Sequence, residues 1–150
     1  MSRRIEDLVP EMQVKIREFA GLMAEAAIPW MITRTRSTLA EQEAIHAQGR
    51  KPLIEVNRLR ALVKWMPIRE SENRIVTWTM KSMHTSHLAF DIAIIKDGKP
   101  CWDLKVSVND NDLPDYLEAG QIGEEFGLTW GGRWKSPDPV HFQLAMGGMP

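Results

Sequence analysis

The stretch SMHTSHLAFDIAII, residues 82–95, decides the fold, because a polar segment with two histidines runs directly into a strand-forming segment. Residues 89–95 are mostly β-branched and aromatic, and the turn pair Asp97-Gly98 follows them. This pattern predicts the first strand of a hairpin. Residues 75–78 are also β-favouring. We therefore expect a strand, a loop that carries His84, and then the hairpin.

The region before this stretch shows helical spacing. Pro10 suits a first helical turn, and apolar residues recur from there at three- and four-residue steps, which predicts an amphipathic helix over about 10–27. A short strand over 30–35 should follow. Capping-box spacing at residues 38–41 and the glycine at position 49 predict a helix over about 39–48.

Two further helices and a final strand complete the prediction. One helix should lie near Leu59 and be stopped by Pro67, and the other should begin at residues 112–114 and end at Gly127. A last strand is expected over about 140–144. The apolar side of the helix near Leu59 is expected to consist of Leu59, Leu62, Val63 and Met66.

Composition excludes several classes of protein. A chain of 150 residues with 43% hydrophobic content is long enough for one core, so we expect a single domain over 1–150. Cys101 is the only cysteine, which excludes a disulfide framework and a cysteine-rich zinc site. The net charge is -1 and its basic residues are scattered among acids, so we expect no nucleic-acid partner. We also expect neither an export signal nor membrane insertion.

The histidines are the main candidates for a metal site in a chain without useful thiols. They are His46, His84, His87 and His141. A catalytic zinc takes three protein ligands and keeps one position for water, and two histidines with one carboxylate are a known solution. His84, Asp91 and His141 would supply that set, and Asp138, between two prolines, could move the proton. This spacing is also common among ordinary surface and core residues.

A wider pattern resembles a known family. Ser82, His84, Ala89 and Asp91 match the Ser-x-His-x-x-Gly-x-Ala-x-Asp motif of the zinc D-alanyl-D-alanine carboxypeptidase and L-alanyl-D-glutamate endopeptidase family. The run GLTWGGRW at 127–134, followed by Asp138 and His141, is similar to the second signature of that family. Upstream, residues 35–37, Gln42 and residues 48–50 are similar to its substrate-side motif.

The resemblance implies an α+β fold, a small antiparallel sheet flanked by helices, with Zn²⁺ held by His84, Asp91 and His141. It implies that Asp138 shuttles a proton between water and leaving amine, and that the substrate is a peptidoglycan stem peptide. Arg36 would clamp a substrate carboxylate or steady the oxyanion, although a structural ion pair is an equal alternative for it. The implied substrate-binding residues are Ser82, Gln42, Arg50 and Trp130.

Within the family, the chain looks most like a phage or prophage endolysin of the L-alanyl-D-glutamate endopeptidase type. Such a protein is expected to be a bacteriolytic monomer that stays in the cytoplasm until host lysis releases it to the periplasm or cell wall. Two alternatives remain. One is a D,D- or L,D-carboxypeptidase that trims stem peptides, and the other is a non-catalytic zinc or cell-wall-binding module.

Two histidines depart from the family's motif, and one run of Asn and Asp residues raises the question of a calcium site. His87 stands where the motif has glycine, which makes it a rival ligand or, as we prefer, a loop residue. His46 stands where an aromatic is usual, and we interpret it as a polar helix residue. The run 109–115 is rich in Asn and Asp but lacks the glycine and final glutamate of a calcium loop, so we interpret it as a turn and helix cap.

Overall fold

The structure is a computed structural model that describes residues 1–77, 80 and 82–145. Two layers form it, a five-stranded sheet and the helices that pack around it. The helices are α1 (Pro10–Glu25), α2 (Leu39–Ala47), α3 (Leu53–Leu62) and α4 (Asp115–Glu125). The strands are β1 (Trp30–Arg34), β2 (Ala89–Lys96), β3 (Lys99–Cys101), β4 (Leu128–Trp130) and β5 (His141–Leu144).

The sheet is antiparallel throughout, and its order is β1-β2-β5-β4 with β3 paired to β2. β2 and β3 form the expected hairpin around Asp97, whose φ of 54° is left-handed. β2 is therefore the central strand, and two of its partners, β1 and β5, lie far from it in the sequence. The predicted α+β class with a small antiparallel sheet is confirmed.

The main core lies between α1 and one face of the sheet. α1 buries Met12, Ile16, Phe19 and Met23, and the ring of Phe19 lies 5.7 Å from that of Phe90 and 5.2 Å from that of Phe142. Each such side chain contributes about 1.5–3 kcal/mol by leaving water. Because side chains alternate along a strand, the neighbours of Phe90 and Phe142 point to the other face of the sheet.

The predicted apolar side of α3 is wrong in part. Val56 and Leu59 pack against Ala44 and Ala47 of α2, whereas Leu62 and Met66, which were expected on this side, are exposed. The helix begins at Leu53, directly after Pro52, so its buried side is formed by Val56 and Leu59 and not by the later apolar residues. It ends well before Pro67, because Lys64 adopts a left-handed φ of 63° and the next amide donates back to Arg60 O.

The strand expected over residues 75–78 is not found. Residues 75–77 lie outside any strand, and Trp78 is outside the described residues. This segment packs instead on the end of α2, where Gly49 N donates to Asn73 Oδ1 at 2.7 Å. A Cβ on Gly49 would lie 2.2 Å from Ile75 N, so only glycine permits this approach. Strand β4, by contrast, was not predicted.

Candidate metal centre

Sheet register brings three polar residues together on the face opposite the main core. Asp91 of β2 lies directly opposite His141 of β5 and, across the other edge, opposite Arg34 of β1. Directly opposed side chains in an antiparallel pair stand about 4.5–5.5 Å apart at Cβ. The pairing of β2 with its neighbours therefore brings together residues that are 57 and 50 positions apart in the chain.

His84 reaches the same place from the turn before β2. Main-chain bonds close this turn, from Leu88 N to Met83 O at 3.0 Å and from His87 N to His84 O at 3.3 Å. Ser82 Oγ accepts from His84 N at 3.2 Å. His84 Nδ1 donates to Thr35 O at 2.8 Å, which orients the buried ring toward Asp91.

Three donor atoms converge at this point. Asp91 Oδ1 lies 3.1 Å from His84 Nε2 and 3.0 Å from His141 Nδ1. Among the described residues, one group of three or more His, Cys, Asp or Glu side chains has all its ligand atoms within 4.8 Å of one another. That group is His84, Asp91 and His141.

The outer hydrogen bonds decide which histidine nitrogens can bind a metal. A carbonyl only accepts, so Thr35 O leaves the proton of His84 on Nδ1. His141 Nε2 donates to Gln143 Oε1 at 2.9 Å. When both imidazoles are neutral, their inward nitrogens present lone pairs to a carboxylate oxygen, an arrangement that a cation stabilises; an imidazole that carries a second proton instead donates to that oxygen. The donor set therefore fits a divalent metal with nitrogen and oxygen ligands.

The electrostatics of the metal-free group agree with this description. Burial favours the neutral form of Asp91, yet hydrogen bonds from His141 and His84 outweigh it and hold the pKa of Asp91 well below its usual range. Burial opposes the charged form of His141, but its bond to Asp91 raises the pKa of that imidazole. Positive charge is thus favoured at the point where the three side chains meet.

An open cleft of about 740 Å³ lies over the group, and Asp138 lines it. Burial and the nearby Asp91 raise the pKa of Asp138, although His141, His84 and Arg34 oppose the shift. Asp138 N donates to Gly131 O at 2.8 Å, and Asp138 O accepts from His141 N at 3.1 Å. A carboxyl group with a raised pKa beside a metal site is suited to taking up and releasing a proton.

Two of the expected substrate-binding residues line the cleft, namely Ser82 and Gln42. Arg50 does not, because it donates to His46 O and Thr77 O and so ties α2 to the segment that forms the cleft wall. Trp130 is buried away from the cleft, and its Nε1 donates to Pro139 O at 2.9 Å.

Arg36, the expected clamp, is exposed and is not among the residues that line the cleft. Arg34 occupies the cleft instead. Its Nε donates to Ser37 Oγ at 2.8 Å and its Nη2 donates to Gln42 Oε1 at 3.0 Å. Burial lowers the pKa of Arg34 in spite of the acidic groups that face it, Asp91, Glu41 and Asp138.

The site residues predicted from the sequence do not include three that line this centre. The sequence could not favour Arg34 over Arg36, because strand residues two apart point to the same face. A bulge after Ile32 also interrupts the regular pairing of β1 with β2. Trp134 lies in the cleft with its ring 5.1 Å from that of His141. Gln143 could have been found, since it lies two residues from His141 and strand residues two apart share a face.

His87 does not belong to the donor group. It adopts a left-handed φ of 62°, which explains why glycine suits this position in the motif, and its Nδ1 bonds Asp7 O at 2.6 Å, away from the cleft.

The run 109–115 forms no metal group within the described part of the chain. Asp115 within it is buried instead of solvated, and it accepts from Val108 N. No described helix is both long and apolar enough to cross a membrane.

Comparison with known proteins identifies a family that the chain resembles. The profile of a family described as D-alanyl-D-alanine carboxypeptidase matches residues 76–144, which include the metal group and Asp138. The peptidoglycan L-alanyl-D-glutamate endopeptidase CwlK of Bacillus subtilis is 29% identical over 142 residues, covering 92% of this chain and 74% of that protein.

The fold also has a solved counterpart. The L-Ala D-Glu endopeptidase ChiX of Serratia marcescens superimposes with a TM-score of 0.59 over 94% of this chain and 83% of that chain, at 18% identity. This similarity concerns the fold. The profile match and the convergence of two histidines and one aspartate lead to one conclusion: the chain is similar to the D-alanyl-D-alanine carboxypeptidase and L-alanyl-D-glutamate endopeptidase family over residues 76–144 and is a metallopeptidase.

Proposed function

We propose that the protein is a zinc-dependent peptidoglycan peptidase that cleaves the bond between L-alanine and D-glutamate of the stem peptide. One observation carries the proposal, namely that His84, Asp91 and His141 converge beside Asp138 in an open cleft. The choice of bond is supported by similarity to CwlK over 92% of the chain.

His84, Asp91 and His141 would hold the zinc ion, through Nε2, a carboxylate oxygen and Nδ1. When bound, zinc lowers the pKa of water and polarises a carbonyl group. Two protein groups keep the ligands in place, since Thr35 O and Gln143 Oε1 accept from the outer nitrogens of the two histidines. Such outer partners set the tautomer and the orientation of a metal-binding histidine.

Asp138 would accept the proton of the attacking water and deliver it to the leaving nitrogen. Its raised pKa suits both halves of that task, because the group must bind the proton and then release it. Arg34 would face the negative charge that develops on the scissile carbonyl oxygen. Ser37 and Gln42 hold two of its five N–H donors and so fix the guanidinium, leaving other donors for that oxygen.

The test of this function is digestion of purified peptidoglycan. The zinc-loaded protein should release stem peptides that begin with D-glutamate, and a chelator should abolish the release reversibly. Asp138→Asn should lower kcat by about 10²–10⁴-fold, the usual contribution of a general acid–base group, while it still binds zinc. Full activity in the chelated protein would contradict the proposal.

The mass of the product distinguishes the remaining functions. Loss of a single terminal D-amino acid would indicate a D,D- or L,D-carboxypeptidase, which uses the same metal chemistry on another bond. Full zinc occupancy with no turnover would indicate a non-catalytic wall-binding module.

We further propose that the protein acts as a monomeric phage or prophage endolysin, held in the cytoplasm until lysis exposes the wall. Similarity to a peptidoglycan endopeptidase over 92% of the chain supports a role in wall degradation. Expression inside a bacterium should then leave cells intact until a membrane lesion is supplied, and lysis should follow at once. Lysis without any lesion would contradict the localisation.

A further inference from the structure

Lys135 is a cation of the cleft that the proposed mechanism does not use. It lies in the loop between Trp134 and Asp138, lines the cleft and is exposed. Within the described part of the chain it forms no hydrogen bond and no ion pair. Arg34, the other cleft cation, is by contrast held by Ser37 and Gln42 and faced by acidic groups.

The substrate of the proposed function brings a second carboxyl group to this place. D-glutamate has two carboxyl groups, and only one of them continues the peptide. The other lies close to the scissile nitrogen and carries a negative charge when it is not amidated. Of the two cationic side chains that line the cleft, Arg34 is already held by Ser37 and Gln42, so Lys135 is the one that can meet that carboxylate.

Lys135 shares a loop and the cleft with Asp138, and this relates it to the leaving side of the scissile bond. Asp138 must lie beside the leaving nitrogen to protonate it, and Lys135 belongs to the same loop, three residues earlier. The carboxylate of D-glutamate is on the leaving side of that bond. A lysine ammonium on a flexible stem can follow such a group without a fixed partner.

We propose that Lys135 is a specificity-determining residue that binds the free carboxylate of the D-glutamate residue on the leaving side of the scissile bond. The inference rests on the proposed function. It implies that the enzyme discriminates between stem peptides in which this carboxylate is free and those in which it is amidated.

The test compares two synthetic stem peptides that differ only in whether this carboxyl is free or amidated. Zinc-loaded wild type should cleave the free acid about five- to tenfold better in kcat/KM, mostly through KM, as expected for a partly exposed charge-assisted hydrogen bond. Lys135→Met should lose this preference by slowing only the free acid, and Lys135→Arg should retain it. Lys99→Met, an exposed lysine on β3 outside the cleft, is the matched control.

A binding measurement supplies a second readout. The released peptide that begins with D-glutamate should bind wild type more tightly than Lys135→Met in calorimetry, and the amidated product should bind both equally. Equal losses on both peptides, or no preference in wild type, would overturn the role of Lys135 while leaving the proposed function standing. Failure of wild type to cleave either peptide would overturn both.

Discussion

Substitution of Gly131 by alanine should impair catalysis, although Gly131 itself has no part in the chemistry. A Cβ at this residue would lie 2.5 Å from Asp138 O, 3.2 Å from Asp138 Cβ and 3.3 Å from His141 Cβ. Ordinary contacts of a Cβ begin near 3.4 Å. Gly131→Ala therefore requires the backbone at Asp138 to move by about 1 Å, and the same displacement acts on the strand that carries His141.

A displacement of that size is large for catalysis and modest for folding. Misplacement of a catalytic group by about 1 Å costs about 100-fold in rate, so kcat/KM should fall by about that factor. Overpacking costs about 1–3 kcal/mol, which lowers the melting temperature by about 2–12 °C in a chain of this size. The variant should therefore fold, yet it should cleave slowly and bind zinc more weakly.

The assay combines peptide cleavage, zinc competition against a chromogenic chelator and thermal unfolding. Gly21→Ala serves as the matched control, because no heavy atom lies within 4 Å of a Cβ built there and alanine favours the helix interior. That control should keep full activity and gain stability. Wild-type turnover and zinc affinity in Gly131→Ala would refute the idea that this close approach positions Asp138 and His141.

Three further outcomes follow from single contacts. Gln143→Leu should weaken zinc binding about 10–100-fold in the same competition assay, because His141 loses its outer acceptor, whereas Gln143→Glu keeps one. His87→Gly should leave zinc affinity unchanged, and urea unfolding should show a net stability change below about 1 kcal/mol, since relief of a left-handed φ offsets a lost hydrogen bond; a large loss of zinc would make His87 a ligand. Burial raises the pKa of Asp115, against the opposing bond from Val108 N. The folded state thus keeps this proton to higher pH than the unfolded chain does, so wild type should lose stability relative to Asp115→Asn as pH rises above about 3.9. Equal pH dependence of the two urea midpoints would contradict this.

Local patterns predicted most of the secondary structure for identifiable reasons. Pro10 at a first helical position and the capping box of Thr38 with Glu41 are short-range signals, and helices begin where they indicate. The helix near Leu59 shows the limit of such signals. Its apolar residues permit more than one register, and contact with Ala44 and Ala47 decided in favour of Val56 and Leu59.

The sequence alone determined the donor types and their likeness to a peptidase family, because the motif around His84 and Asp91 and the later pair of Asp138 and His141 depend on residue identity and order. Tertiary structure decided which of two arginines enters the cleft. It also decided that Trp134 rather than Trp130 lines it, and which nitrogen of each histidine faces inward. The physical reason is that strand pairing and hydrogen bonds join residues 50 or more positions apart, and no local pattern records these contacts.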